Sequence, residues 1–129
     1  MVGRPKKTGG GLAPLESEVM DAVWQASSPV SVRLVLDALN EHRNEPLAYT
    51  TVMTVMNRLV TKNVLARHGE RRRYLYEATA ADAAGLAVRD VLRAHGDAAV
   101  AHFVDEARAD PAVLRRLRAI LAEDLAEDR

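Results

Sequence analysis

Apolar residues first return at helical spacing near the start of the chain. Leu15, Val19, Ala22 and Val23 share one stripe, Trp24 lies near its end, and Pro14 can open the helix. Ser27-Ser28-Pro29 breaks it, and Val30 is placed for a strand of one or two residues. Ser31 then caps a second helix whose Val32, Val35, Leu36 and Leu39 face inward, until Asn44-Glu45-Pro46 stops it. A third helix is predicted from about Tyr49 to Lys62, with Val52, Val55, Met56 and Leu59 on one face. Asn63 suits its end. The period then falls to two, and Val64–Arg67 and Arg73–Tyr76 read as strands around the turn His68-Gly69-Glu70-Arg71. Tyr74 and Tyr76 share one face of the second strand, with Leu75 on the other. Three helices, a two-stranded wing and a small third strand near Val30 predict a winged helix-turn-helix domain.

Beyond Thr79 the pattern is helical throughout. One helix is predicted from Ala81 to about His95, carrying Leu86, Val91 and Leu92, and Gly96-Asp97 interrupts it with Asp97 as a good N-cap. A second carries Val100, Phe103, Val104 and Ala107. Asp110-Pro111 caps a third, striped by Leu114, Leu117, Leu121 and Leu125. Each is too short and one-sided to be stable alone, and a second copy of the chain is the simplest source of a covering surface. The expected dimer interface is Leu86, Val100, Phe103, Val104, Leu114, Leu117 and Leu121. The fold class is therefore mostly α with an α+β wing. A flexible basic tail occupies 1–12, a winged-helix DNA-binding domain 13–78 and a three-helix dimerisation domain 79–129.

The composition sharpens this picture. One Phe, one Trp and three Tyr within a hydrophobic content of 48% mean an aliphatic, helix-favouring core. The absence of cysteine excludes disulfides, cysteine–zinc sites and thiol catalysis, and fits a cytoplasmic protein. No apolar run approaches the ~20 residues of a membrane span. Lys and Arg balance Asp and Glu at 18 each, yet the charge is split along the chain. Through Glu77 there are 11 cations against 8 anions, and from Ala78 onward 7 against 10. A basic front half joined to an acidic back half suits a polyanion-binding domain fused to one with another task.

The outer face of the third helix collects Thr50, Thr51, Thr54, Asn57, Arg58 and Thr61. Thr is a mediocre helix former, so four on one exposed face point to a role beyond helix stability. Thr51, Thr54, Asn57 and Arg58 are candidates for major-groove contact, through hydroxyls to phosphate or thymine methyl and through Asn57 or Arg58 to base edges. Tyr49 and Thr50 open the helix where a phosphate is favoured. Arg71, Arg72 and Arg73 at the wing tip are candidates for backbone phosphates, with Arg72 alternatively turned inward to an acid. Gly3-Arg4-Pro5-Lys6-Lys7 is similar to the core of minor-groove AT-hook peptides, although a basic tail alone also explains it. His42, His68, His95 and His102 lack zinc-like spacing, and no nucleophile–base pair stands out. No metal, cofactor, small-molecule ligand or enzymatic activity is expected. The competing reading is a winged-helix protein-interaction module without sequence-specific DNA binding.

Four stretches resemble the penicillinase-repressor (BlaI/MecI) group of winged-helix repressors: LESEVMDAVW at 15–24, LAYTTVMTVMNRLVTKNVL at 47–65, RRYLYEA at 72–78 and VAHFVDEA at 100–107. The resemblance implies a homodimeric repressor on double-stranded operators of dyad symmetry. It further implies a partner membrane metalloprotease that senses β-lactam or envelope stress, hence a link to antibiotic resistance. Induction in that group cuts an Asn-Phe bond in the dimerisation domain, which by alignment falls at His102-Phe103 here. The cysteine cluster of copper-responsive relatives is missing from this chain.

Overall fold

The computed structural model describes residues 11–128, and the Gly3-Arg4-Pro5-Lys6-Lys7 motif lies outside them. Three helices come first: α1 (Pro14–Ala26), α2 (Val32–Asn40) and α3 (Tyr49–Thr61). Strands β1 (Leu65–His68) and β2 (Leu75–Ala78) form an antiparallel pair, with Arg67 opposite Tyr76. Helices α4 (Ala83–His95), α5 (Asp97–Ala109) and α6 (Pro111–Glu127) complete the described chain.

The inward faces expected from helical spacing build the core. Val19 and Val23 of α1 meet Val32, Val35 and Leu36 of α2, and Val52, Val55, Met56 and Leu59 of α3. Met20, not counted in the stripe, is buried with them, whereas Leu15, Ala22 and Leu39 are only partly buried. Val64, Leu65 and Tyr76 close it from the wing side. Val30 joins as a single antiparallel bridge to Tyr76, each residue's N–H donating to the other's carbonyl at 2.9 and 2.7 Å. Both strands begin later than the period-two pattern predicts, by one residue for β1 and two for β2. Val64 gives its N–H to the Leu59 carbonyl at 2.9 Å, closing the end of α3, so pairing waits until Leu65. At the tip, Gly69 (φ 95°) and Arg72 (φ 76°) are left-handed, and Arg73 N–H donates to Glu70 O at 2.8 Å. This wider turn consumes residues that were expected to pair.

The caps follow the sequence with one correction. Ser31 accepts from Leu34 N–H at 3.1 Å, and Asp110 accepts from Ala112 and Val113 N–H at 3.0 and 3.4 Å. Asp97, expected as the N-cap of α5, is instead its first residue. Gly96 takes the cap position with φ 53°, a conformation that costs a glycine little.

A buried acid ties the ends of two helices together. Glu16, 1% exposed, accepts through Oε1 from Ala13 N–H at 2.8 Å and from Lys62 Nζ at 2.9 Å. Burial alone would push its carboxyl up. The bonds from Lys62 and Ala13, with the nearby charges of Lys62 and Arg58, outweigh that and hold it below the ordinary glutamate range. Glu16→Gln should cost roughly 1.5–3 kcal/mol at neutral pH, the range for hydrogen bonds to charged groups. A depressed folded pKa means this stabilisation is present above the unfolded value and fades as pH falls through the folded one. Urea melts of both proteins should therefore converge on the acid side of the ordinary glutamate range. A gap that persists there would assign the effect to packing instead of ionisation.

The chain divides into two compact units, one running through Arg89 and the other starting at Asp90. The boundary lies later than the break at 78/79 expected from the sequence because the first turns of α4 belong to the winged helix. Leu86, expected at a dimer interface, is buried in that first core. Arg89 donates to Thr79 Oγ1 at 2.6 Å and to Asn63 O at 2.9 Å. In the second unit Ala107 is the one buried residue among those described.

Candidate nucleic-acid interface

The apolar face of α3 is spent on the core, which fixes what its other face can offer. Thr50, Thr51, Thr54, Arg58 and Thr61 are all exposed, and Tyr49 opens the helix half-exposed. Thr61 turns its hydroxyl back to Asn57 O at 3.2 Å, a common habit of helical Thr that removes it from outward donation. Thr50, Thr51 and Thr54 make no such bond within the described residues. The exposed face is therefore a band of hydroxyls ending in one guanidinium.

Asn57 is placed differently from its neighbours. It is half-buried, and its Oδ1 accepts from Tyr76 OH at 3.1 Å and from Arg67 Nη1 at 3.1 Å. Asn57 was expected at a base edge, but its carbonyl oxygen is engaged with the wing, so Asn57 braces α3 against β1 and β2. Arg67 also lies over the Tyr74 ring, its Cζ 4.2 Å from the centroid, and this cation–π contact holds the guanidinium beside the strand. Neither Arg67 nor Tyr74 was a candidate contact residue in the sequence. The usable signal was register, since Arg67 lies directly opposite Tyr76 on the antiparallel pair.

The wing tip presents Arg71, Arg72 and Arg73, all exposed, and none of them pairs with an acid among the described residues. The inward alternative for Arg72 is thus not adopted. Its backbone is left-handed, with φ 76°, and its side chain is exposed. Gly69 makes this tight tip possible, since a Cβ there would sit 2.9 Å from Arg73 O. The exposed pair His68 Nε2–Glu77 Oε1 at 2.9 Å adds little holding strength.

The turn that sets α3 against α2 is clamped by a residue the periodicity did not reveal. Asn40 accepts from Leu47 N–H through Oδ1 at 2.8 Å and donates to Leu47 O through Nδ2 at 3.2 Å. This two-way bond ties the last residue of α2 to the segment that leads into α3. From the N-terminal end of α2, Arg33 lies over the Tyr49 ring with Cζ 5.6 Å from its centroid.

The expected dimer residues separate by environment. Val100, Phe103 and Leu121 are exposed, Val104, Leu114 and Leu117 are half-buried, and Leu86 belongs to the winged-helix core. Val91, Leu92, Val113, Ile120 and Leu125 are further exposed apolar residues that the sequence reading did not count in the interface. His102 and Phe103 lie in the middle of α5, both exposed. Among the described residues no three His, Asp or Glu side chains converge as a metal site would require, and no helix is long and apolar enough to cross a membrane.

The sequence profile of the family described as penicillinase repressor matches residues 12–123. The transcriptional regulator BlaI of Mycobacterium tuberculosis is 40% identical over 119 residues, which cover 87% of this chain and 83% of that protein. A solved complex structure of hsRosR aligns with 94% of this chain and 96% of its own at TM-score 0.51 and 16% identity, a likeness of fold. A solution structure of monomeric BlaI from Bacillus licheniformis in complex with the blaP half-operator is 27% identical. It covers 57% of this chain and 85% of that one, at TM-score 0.44.

Proposed function

This chain belongs to the penicillinase-repressor family, and from that premise we propose that it is a homodimeric transcriptional repressor of dyad-symmetric operators. Each protomer lays α3 in a major groove, with Thr51, Thr54 and Arg58 toward the bases and Tyr49 and Thr50 toward the flanking strand. The arginines of the wing tip grip the adjacent backbone. The observation that carries this reading is the polarity of α3. Its outward side is threonine and arginine, where a protein-interaction module would present apolar anchors. Regulation of transcription, not catalysis, is the family's role.

The second unit supports the dimer. Its helices leave Val100, Phe103 and Leu121 open to solvent, which a second copy would cover. Derepression follows from cutting that unit at His102-Phe103, by a sensor protease of the membrane. Both residues are exposed, but the bond lies within α5, so the helix must open locally before an extended strand can enter a protease.

The wing provides a direct test. Alanine at Arg71 or Arg73 should flatten the dependence of log affinity on log salt by about one unit. The weakening should be equal on a duplex selected by the protein and on an unselected one of the same length. Loss confined to the selected duplex would move that arginine from backbone to base. Salt-independent binding, or none, would overturn the DNA-binding reading.

A further inference from the structure

We propose that Arg33 is a further DNA-binding residue, a phosphate ligand carried on α2 and held at the mouth of the recognition helix by the Tyr49 ring. The proposal rests on the DNA-binding reading above and adds a contact outside α3 and the wing.

Arg33 is the second residue of α2 and Tyr49 the first of α3, so the pair joins the N-terminal ends of the two helices, while Asn40 and Leu47 clamp the turn between them. Both are exposed, and the guanidinium carbon lies 5.6 Å from the ring centroid. Asp37 stands four residues along the same helix, the spacing at which an intrahelical ion pair forms. Among the described residues, however, Arg33 pairs with no acid. Arg43 differs, closing on both oxygens of Glu18 at 2.9 and 3.0 Å. Arg33 therefore keeps its charge and its fork of N–H donors free, beside an aromatic face that limits where they can point.

A fork of this kind matches the paired oxygens of a phosphodiester. Its position selects backbone over base. In helix-turn-helix docking, the helix before the recognition helix crosses the sugar–phosphate strand while the recognition helix enters the groove. Arg67 on the Tyr74 ring repeats the arrangement from the wing side, at 4.2 Å. An arginine thus stacks on a tyrosine both at the start of α3 and on the wing, and of the two the one on α2 makes no hydrogen bond or ion pair with another protein group among the described residues.

The test uses the full chain, a duplex it selects from a random-sequence pool, and an unselected duplex of equal length. Arg33→Ala should weaken both by the same factor, roughly threefold to tenfold at physiological salt, and lower the log–log salt slope by about one. Arg33→Lys should restore the slope. Tyr49→Ala should weaken binding, and adding it to Arg33→Ala should cost less than the two separate losses combined, because the ring acts partly through the guanidinium. Thermal melting of Arg33→Ala should match the unmodified chain, since the side chain is exposed. An unchanged slope, a loss confined to the selected duplex, or strict additivity with Tyr49→Ala would overturn the proposal. An unmodified chain lacking salt-dependent affinity for either duplex would overturn the DNA-binding reading, and the Arg33 role with it.

Discussion

Aspartate at both Phe103 and Leu121 should lower affinity for a duplex with two half-sites by roughly 100-fold to 1,000-fold, while leaving the grip on one half-site unchanged. The magnitude follows from linkage: joining two modest binding modules raises avidity about 10²–10⁴-fold over either alone, and separating them forfeits it. Phe103 is 52% exposed and Leu121 51% exposed, within a unit whose one buried residue among those described is Ala107. Helices with so little interior of their own need a cover, and two carboxylates placed where a second copy would sit must be desolvated for it to close. Sedimentation should show the variant as a monomer at concentrations where the unmodified chain is a dimer. The winged helix should melt as before, because neither residue enters its core. A variant that stays dimeric, or one that loses equally on one and two half-sites, would place the interface elsewhere.

What could be read from the sequence, and what could not, follows the range of the interactions involved. Helical spacing located Val52, Val55, Met56 and Leu59 because burial of one helix face is a local pattern. The threonine band was legible for the complementary reason: residues excluded from the core at the same period must face outward. The wing's existence was legible from Gly69 and the alternation around it, but its edges shifted by one or two residues. They depended on the Val64 bond that ends α3 and on the left-handed Arg72, neither of which alternation encodes. Long-range pairing was not legible. The separation of Glu16 from Lys62, of Asn40 from Leu47 and of Asn57 from Tyr76 carries no period, so Glu16 and Asn40 gave no sign of their partners and Asn57 read only as a base-contact candidate. Asn57 is the instructive case. By spacing it falls on the polar face of α3 with Thr50, Thr54 and Thr61, and only the wing folding over it decides that its carbonyl is engaged.

That engagement makes Tyr76 the residue whose loss should cost the winged helix most. Its side chain is 1% exposed among Val30, Leu65 and the α3 core, and its hydroxyl donates to Asn57 Oδ1. Tyr76→Ala should destabilise by roughly 3–5 kcal/mol, the range for removing a buried aromatic side chain. Total stability for such a domain is about 5–15 kcal/mol, so this approaches unfolding. Tyr76→Phe separates the two contributions. The ring and its packing stay, the backbone bridge to Val30 is untouched, and Asn57 Oδ1 still accepts from Arg67, so the loss should be about 0.5–1.5 kcal/mol. Burial pushes the Tyr76 hydroxyl up, against the opposing bond and charge of Arg67, so it remains a neutral donor across the pH range of such a measurement. Urea melts of the three proteins would rank them. Should Tyr76→Phe fall as far as Tyr76→Ala, the hydrogen-bonded link to Asn57, not the buried ring, would be what joins the wing to the recognition helix.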